Sequence, residues 1–192
     1  MMQLQEKFRT LRLLLTRIGP HDLDDMLRLH REVAGALGDT RPDGEIAALV
    51  GELDRQWDQH GFGWWVIRDP NTGRFIGRGG LRRVRIDSSP EVELGYALLP
   101  GFWNRGLATE LARVSVAQGF VRLELADVVS FTLPANRGSR RVMEKTGLRY
   151  ERNIAHGGME HVLYRLTTAA WRAGLPKPSA LSRRPDEELV AG

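Results

Sequence analysis

Hydrophobic residues in this chain recur at two spacings, and the spacing divides it into elements. The short apolar run Leu11-Arg-Leu-Leu-Leu-Thr16 predicts a strand, which Gly19-Pro20 ends. From Asp22 onward, Leu23, Met26, Leu27, His30, Val33, Ala34 and Leu37 share one face at helical spacing, with Asp22, Asp24 and Asp25 at the positive end. A second helix is predicted after Asp43, with Ile46, Leu49, Val50, Leu53 and Trp57 on one face and an exit at Gly61-Phe-Gly63. Trp64–Arg68 and Phe75–Leu81 read as a hairpin around the turn Asp69–Gly73. Gly77, Gly79 and Gly80 mark a bulge or a close approach to the returning strand, and Arg82, Arg83 and Arg85 are expected to face solvent beyond it.

A turn at Asp87–Pro90 leads into Glu91–Leu99, a strand with carboxylates embedded in it. The helix predicted after Arg105 sets Leu107, Leu111 and Val114 on one face beside Ala108 and Ala112, and runs to about Gly119. Val128–Leu133 is the next strand, stopped by Pro134. Asn136 then caps a helix that runs to about Thr146, with Gly147 as its left-handed stop. Two further strands follow near Tyr150–Ala155 and His161–Leu166, joined by Gly157-Gly158. Hairpins and crossovers together predict an α+β fold with helices packed on a mixed sheet.

Composition narrows the picture. The 192 residues, 42% hydrophobic, suffice for one domain with a real core, expected over 10–173. Residues 1–9 read as a polar lead-in, and 174–192, with Pro176, Pro178, Ser179, Ser182 and Pro185, as a flexible tail. The absence of cysteine excludes disulfides, thiolate zinc sites and cysteine nucleophiles. No apolar run suits a signal peptide or a membrane span, so the cytoplasm is the expected location and no membrane partner is implied. Net charge is +4, and only Lys7, Lys145 and Lys177 among the cations are lysines. That balance permits nucleic-acid binding, but the arginines are scattered among acids and read better as a solvated mixed surface. The histidines, at 21, 30, 60, 156 and 161, lack the spacing of a metal site, and His30 reads as a packing residue.

One stretch carries candidate chemistry. In Leu98-Leu-Pro-Gly-Phe-Trp-Asn-Arg-Gly-Leu-Ala-Thr-Glu110 an apolar strand passes through a glycine turn into a helix. A helix N-terminus leaves backbone N–H groups without partners and carries partial positive charge, so this turn suits an anion such as phosphate. An ordinary strand–turn–helix junction has the same local pattern.

Four pieces in order extend this: Thr10-Leu-Arg-Leu-Leu-Leu, Glu93-Leu-Gly-Tyr-Ala-Leu-Leu-Pro, Trp103-Asn-Arg-Gly-Leu-Ala-Thr-Glu and Asn136-Arg-Gly-Ser-Arg-Arg-Val-Met-Glu-Lys-Thr-Gly-Leu148. Together they resemble the GNAT acetyltransferase superfamily, in particular its RimJ/RimL-like branch, over about residues 8–173. The resemblance implies a mostly antiparallel sheet of about seven strands, flanked by about four helices. Its strands ending near Leu99 and Leu133 would splay around acetyl-CoA. The pantetheine arm would pair with the backbone at Leu98 and Leu99, and the diphosphate would sit on Asn104, Arg105, Gly106, Leu107, Ala108 and Thr109. Trp103 stands where the wider family has Gln or Arg, as is common in this branch.

The implied activity is direct acetyl transfer to a primary amine, either a peptide N-terminus or a small molecule, with acetyl-CoA as co-substrate and no metal. Attack needs a base, and the resemblance points to Glu93, with Glu91 in reserve; a carboxylate merely paired to arginine is the alternative. The wider family's acidic tyrosine falls on Met143 here, so the branch points instead to Ser139 beside the thioester sulfur, otherwise a plain first-turn helix residue. Asn136 would bond the pantetheine arm or only cap its helix, and Arg141 or its neighbour Arg140 would meet the 3′-phosphate. Acceptor walls are expected from the two early helices, Gly61–Trp65 and Gly157-Gly158. Trp57, Trp64 and Trp65 either line that pocket or belong to the core. A homodimer is compatible with the family. A silent acyl-CoA-binding or sensory protein and an arginine-rich nucleic-acid binder are the other classes.

Overall fold

Eight strands form one sheet in the order β1-β2-β3-β4-β5-β6-β8-β7 in a computed structural model that describes residues 3–37 and 41–175. The strands are β1 (Lys7–Arg9), β2 (Leu14–Arg17), β3 (Trp64–Arg68), β4 (Phe75–Ile86), β5 (Ser89–Leu98), β6 (Asp127–Thr132), β7 (Arg149–His156) and β8 (Met159–Thr167). The helices are α1 (Leu23–Leu37), α2 (Asp43–His60), α3 (Leu107–Arg122), α4 (Arg137–Thr146) and α5 (Thr168–Gly174). Every pairing is antiparallel except β5 with β6, which are joined through α3.

Local chemistry explains the boundaries. Met26, Leu29 and Val33 form the buried stripe of α1, and all five predicted residues of α2 are buried. Gly61, at φ 71°, closes α2 as a left-handed cap. The β4–β5 hairpin turns on Asp87 and Ser88, both with positive φ, as a two-residue loop requires. Asn136 caps α4 through the Ser139 N–H at 3.0 Å, and Gly147 stops that helix at φ 99°.

Several expectations change. The sheet has one strand more than expected because β1 lies within the expected lead-in, where Leu4 is also buried. The additional helix is α5, capped by Thr167 and anchored by Trp171 against Phe120 at 5.4 Å. The glycines of β4 mark a close approach, with the neighbouring strand as the close partner. A Cβ on Gly77 would stand 2.2 Å from the Ala97 carbonyl oxygen. Arg82 does not face solvent but turns inward to Glu93. Trp57, Trp64 and Trp65 are buried core residues, with Trp57 and Trp65 edge to face at 5.7 Å. The expected tail lies outside the described residues from 176 onward.

Many arginines are spent on acids rather than gathered into a basic stripe. Arg17 bridges Glu6, Asp54 and Asp58, while Arg165 ties Glu91, Glu151 and Asp127 together. No described helix is long and apolar enough to cross a membrane.

Candidate functional site

The sheet opens between β5 and β6. Their parallel pairing is limited to Glu93 with Val129, and the buried Ser130 hydroxyl donates to the Leu94 carbonyl at 2.7 Å where they part. Beyond it, the Leu98 carbonyl also points away from β4 and accepts from the Trp103 indole at 2.6 Å. Leu99 is different. Its N–H bonds the Ile76 carbonyl on the far side and its own carbonyl accepts from Phe102, both at 2.9 Å, so against expectation its N–H is not available to an added strand. The Leu98 N–H, by contrast, points away from β4 toward the opening.

At the end of β5 the chain reaches the glycine turn. Asn104 and Gly106 are left-handed, at φ 58° and 75°, and α3 starts at Leu107 with no side chain capping it. Asn104, Arg105 and Gly106 are exposed, so the first N–H groups of α3 open toward solvent. A Cβ at Gly106 would be strained by its φ and would stand 3.6 Å from Arg12 Nη2. This donor set fits a diphosphate.

Facing the opening from α4 is Ser139. Its Oγ lies 3.0 Å from the Tyr96 hydroxyl, which also reaches the Ser139 carbonyl at 3.1 Å. Burial raises the Tyr96 phenol above its ordinary value, against the opposing bond with Ser139, so it stays protonated as a donor. Tyr96 is the residue missed by the sequence reading, although strand alternation already set it on the face opposite Glu93. Arg140 is committed to the Tyr164 hydroxyl at 3.1 Å and the Pro134 carbonyl at 3.2 Å, whereas Arg141 is exposed on the next position. Met143 is fully buried, in keeping with its apolar character.

Glu93 lies on the other face of β5 and is only 7% exposed. Arg82 on β4 pairs with it at 2.5 Å and stacks on the Trp64 ring at 4.3 Å, while Arg78 stacks on the same ring at 3.8 Å. The Trp64 indole N–H is buried without a hydrogen-bond partner among the described residues. His156 at the end of β7 is an electrostatic neighbour of Glu93, Arg82 and Arg41, and packs on Phe131 at 4.7 Å. Burial, aided by Arg82, His161 and Arg41, lowers its imidazole below the ordinary value, while Glu93 pulls the other way. The electrostatic influence of the middle of β5 on the end of β7 has no sequence signal. Glu91 is committed to Arg165 by paired bonds of 2.8 and 3.0 Å. No group of three or more potential metal ligands occurs among the described residues.

The family model described as Acetyltransferase (GNAT) domain matches residues 12–149. YkkB of Bacillus subtilis is 31% identical over 103 residues, covering 51% of this chain and 60% of that protein. The FsC-acetyl coenzyme A-N(2)-transacetylase of Aspergillus fumigatus is 33% identical over 138 residues, covering 65% of this chain and 57% of that protein. The chain thus spans less than two thirds of either relative's length. Among solved structures, an acetyltransferase from Agrobacterium tumefaciens superposes with TM-score 0.75 at 24% identity, over 86% of this chain and 96% of that one. The ribosomal-protein-S5-alanine acetyltransferase of Vibrio fischeri gives 0.70 at 16%, over 87% and 99%. Aminoglycoside acetyltransferase AAC(6')-Ib in complex with coenzyme A gives 0.68 at 17%, over 84% and 98%. At such identities these structures speak for the fold alone. The sheet that opens at a single parallel pair and the family match across 12–149 together establish that the chain belongs to the GNAT acetyltransferase family.

Proposed function

We propose that this chain is an acetyl-CoA-dependent N-acetyltransferase that passes the acetyl group directly to a primary amine. The observation that carries the reading is the opening of β5 from β6 after Glu93, with unspent helix-end donors at its mouth. In this reading the diphosphate binds the amides from Asn104 to Thr109, and Arg105 neutralises part of its charge. The pantetheine arm runs along Leu98 toward Asn136, and exposed Arg141 meets the 3′-phosphate. The catalytic domain is 10–173, with β1 added at the sheet edge.

The chemistry follows from the amine. An ammonium has no lone pair, so Glu93, directly or through water, takes one proton and the amine nitrogen attacks the acetyl carbonyl carbon. The tetrahedral intermediate collapses, the carbon–sulfur bond breaks with its electron pair leaving on sulfur, and the nitrogen gives up its second proton, which replaces the one the Ser139 hydroxyl passes to the thiolate. Ser139 then donates to the thiolate, with the Tyr96 hydroxyl turned to its Oγ to hold the donor in place. The products are an amide and CoA. Arg82 pairs with Glu93, and Arg78 and Arg82 stack on the Trp64 ring beside it.

We place the chain in the RimJ/RimL-like branch on its Trp103 motif, with a peptide α-amine as the leading acceptor and a small amine as the other. The Arg82–Glu93 pair favours one second reading, an acyl-CoA-binding protein without turnover, because the carboxylate already has a cation. Thiol release from acetyl-CoA in the presence of short peptides and small amines, with the acetylated product weighed by mass spectrometry, separates the two. Turnover with any amine supports transfer; CoA binding with no product from any acceptor supports the silent reading.

A further inference from the structure

Two sequence pieces remain outside that chemistry: Thr10-Leu-Arg12 ahead of β2, and Glu110 in the first turn of α3. The fold brings them together. Glu110 Oε1 accepts from the Thr10 hydroxyl at 2.6 Å and from the Arg12 backbone N–H at 3.2 Å. Its Oε2 accepts from Arg12 Nε at 2.6 Å. Thr10 is itself fixed, because its Oγ1 accepts the Leu13 N–H at 3.0 Å and its N–H bonds the Leu13 carbonyl at 2.9 Å. Arg12 then reaches past the carboxylate, and its Nη1 donates to the Arg105 carbonyl at 2.8 Å.

That last bond sets an orientation. The peptide is planar and trans, so a carbonyl of Arg105 drawn toward Arg12 leaves the Gly106 N–H on the opposite edge of the plane. The turn needs such a hold. Asn104 and Gly106 both occupy left-handed conformations that these two residue types adopt at little cost, so their φ angles alone do not fix how the peptide between them faces. Charge matters as well. A carboxylate one turn into α3 suits the helix dipole but repels an anion at the same end, and Arg12 cancels it. The bonds from Thr10 and Arg12 hold the Glu110 carboxyl below its ordinary range, although burial opposes them.

We infer that Thr10, Arg12 and Glu110 form a latch that fixes the 105–106 peptide so that the Gly106 N–H and the first amides of α3 face the diphosphate of acetyl-CoA together. These are positioning residues, and the inference rests on the acetyl-CoA reading above. It makes Arg12 more important than Glu110: Arg12→Gln frees the peptide and leaves a bare carboxylate at the anion site, while Glu110→Gln removes the repulsion along with the anchor.

The test compares acetyl-CoA with acetyl-pantetheine, a thioester that ends before the diphosphate. Arg12→Gln is expected to raise KM for acetyl-CoA about tenfold or more, the loss of a hydrogen bond to a charged group, with kcat nearly unchanged. Its kcat/KM for acetyl-pantetheine should match the parent's. Glu110→Gln should give a smaller rise, and Arg12→Lys should recover part of the loss. Thr10→Val, which removes a single link, serves if Arg12→Gln fails to fold, with the same direction expected. Equal losses on both thioesters, or an unchanged KM for acetyl-CoA in a folded variant, would overturn the latch. An unmutated chain that neither binds CoA nor uses acetyl-CoA would instead overturn the parent reading, and the latch with it.

Discussion

Replacing Glu93 with Gln separates a catalytic carboxylate from a structural one. The side chain is 7% exposed and its partner Arg82 18%, with 2.5 Å between them. Two unit charges that close attract by about 7 kcal/mol at an effective dielectric of 20, but most of that gain offsets the desolvation of both ions. Truncating one partner of such a pair costs about 3–5 kcal/mol; Gln keeps an oxygen for the Arg82 N–H, so about 2 kcal/mol is expected. A domain of this size loses about 2–4 °C per kcal/mol, so Tm should fall by about 4–8 °C and leave the protein folded at 25 °C. Activity should fall much further. Loss of the general base is expected to reduce kcat by about 100-fold or more, with KM for acetyl-CoA little changed because Glu93 lies away from the diphosphate turn. The assay is thiol release at 25 °C over a pH series, normalised to folded protein by CoA binding. A variant that shows the Tm loss yet keeps the parent kcat would refute the reasoning and make Glu93 only the counter-ion of Arg82.

Further outcomes follow from the same geometry. Ser139→Ala removes the donor to the departing thiolate and should lower kcat by about 10–100-fold at nearly constant KM, with a smaller loss for Tyr96→Phe; steady-state kinetics on both variants checks the order. Gly95→Ala would bring a Cβ within 2.5 Å of Trp64 Cζ2 and 3.2 Å of Glu93 Oε1, and this overpacking should cost about 1–3 kcal/mol by urea unfolding. Burial lowers the imidazoles of His60 and His156 below the ordinary 6.5. Between the folded and unfolded values the unfolded chain then binds more protons, so stability rises with pH there and is lost as pH falls below about 6.5. Tm measured from pH 7.5 to 5.5 should decline, and less steeply in His156→Gln; an equal slope in both proteins would contradict this.

Strong periodicity made most of the fold legible. Five apolar residues at helical spacing marked α2, and Asn136 and Gly147 marked both ends of α4. What stayed hidden was short or non-local. The three residues of β1 are mostly polar, and α5 is under two turns long, so neither carries a period. Arg82 reads as a surface residue until β5 sets Glu93 opposite it at register. Leu99 reads like Leu98 because sequence does not tell which strand neighbour takes an N–H. The site divides in the same way. The glycine turn, Ser139 and Glu93 lie in recognisable local motifs, whereas the Tyr96–Ser139 bond, the approach of His156 and the latch to Thr10 and Arg12 depend on residues distant in the chain brought together by the sheet.

Amide hydrogen exchange with and without CoA tests most directly whether the opened sheet is the acetyl-CoA site. The account predicts slowed exchange at Leu98, through 104–109 and at the start of α4, with β1, β7 and α5 unchanged. Exchange unaltered in the 104–109 turn at saturating CoA, or protection confined to another part of the chain, would contradict it.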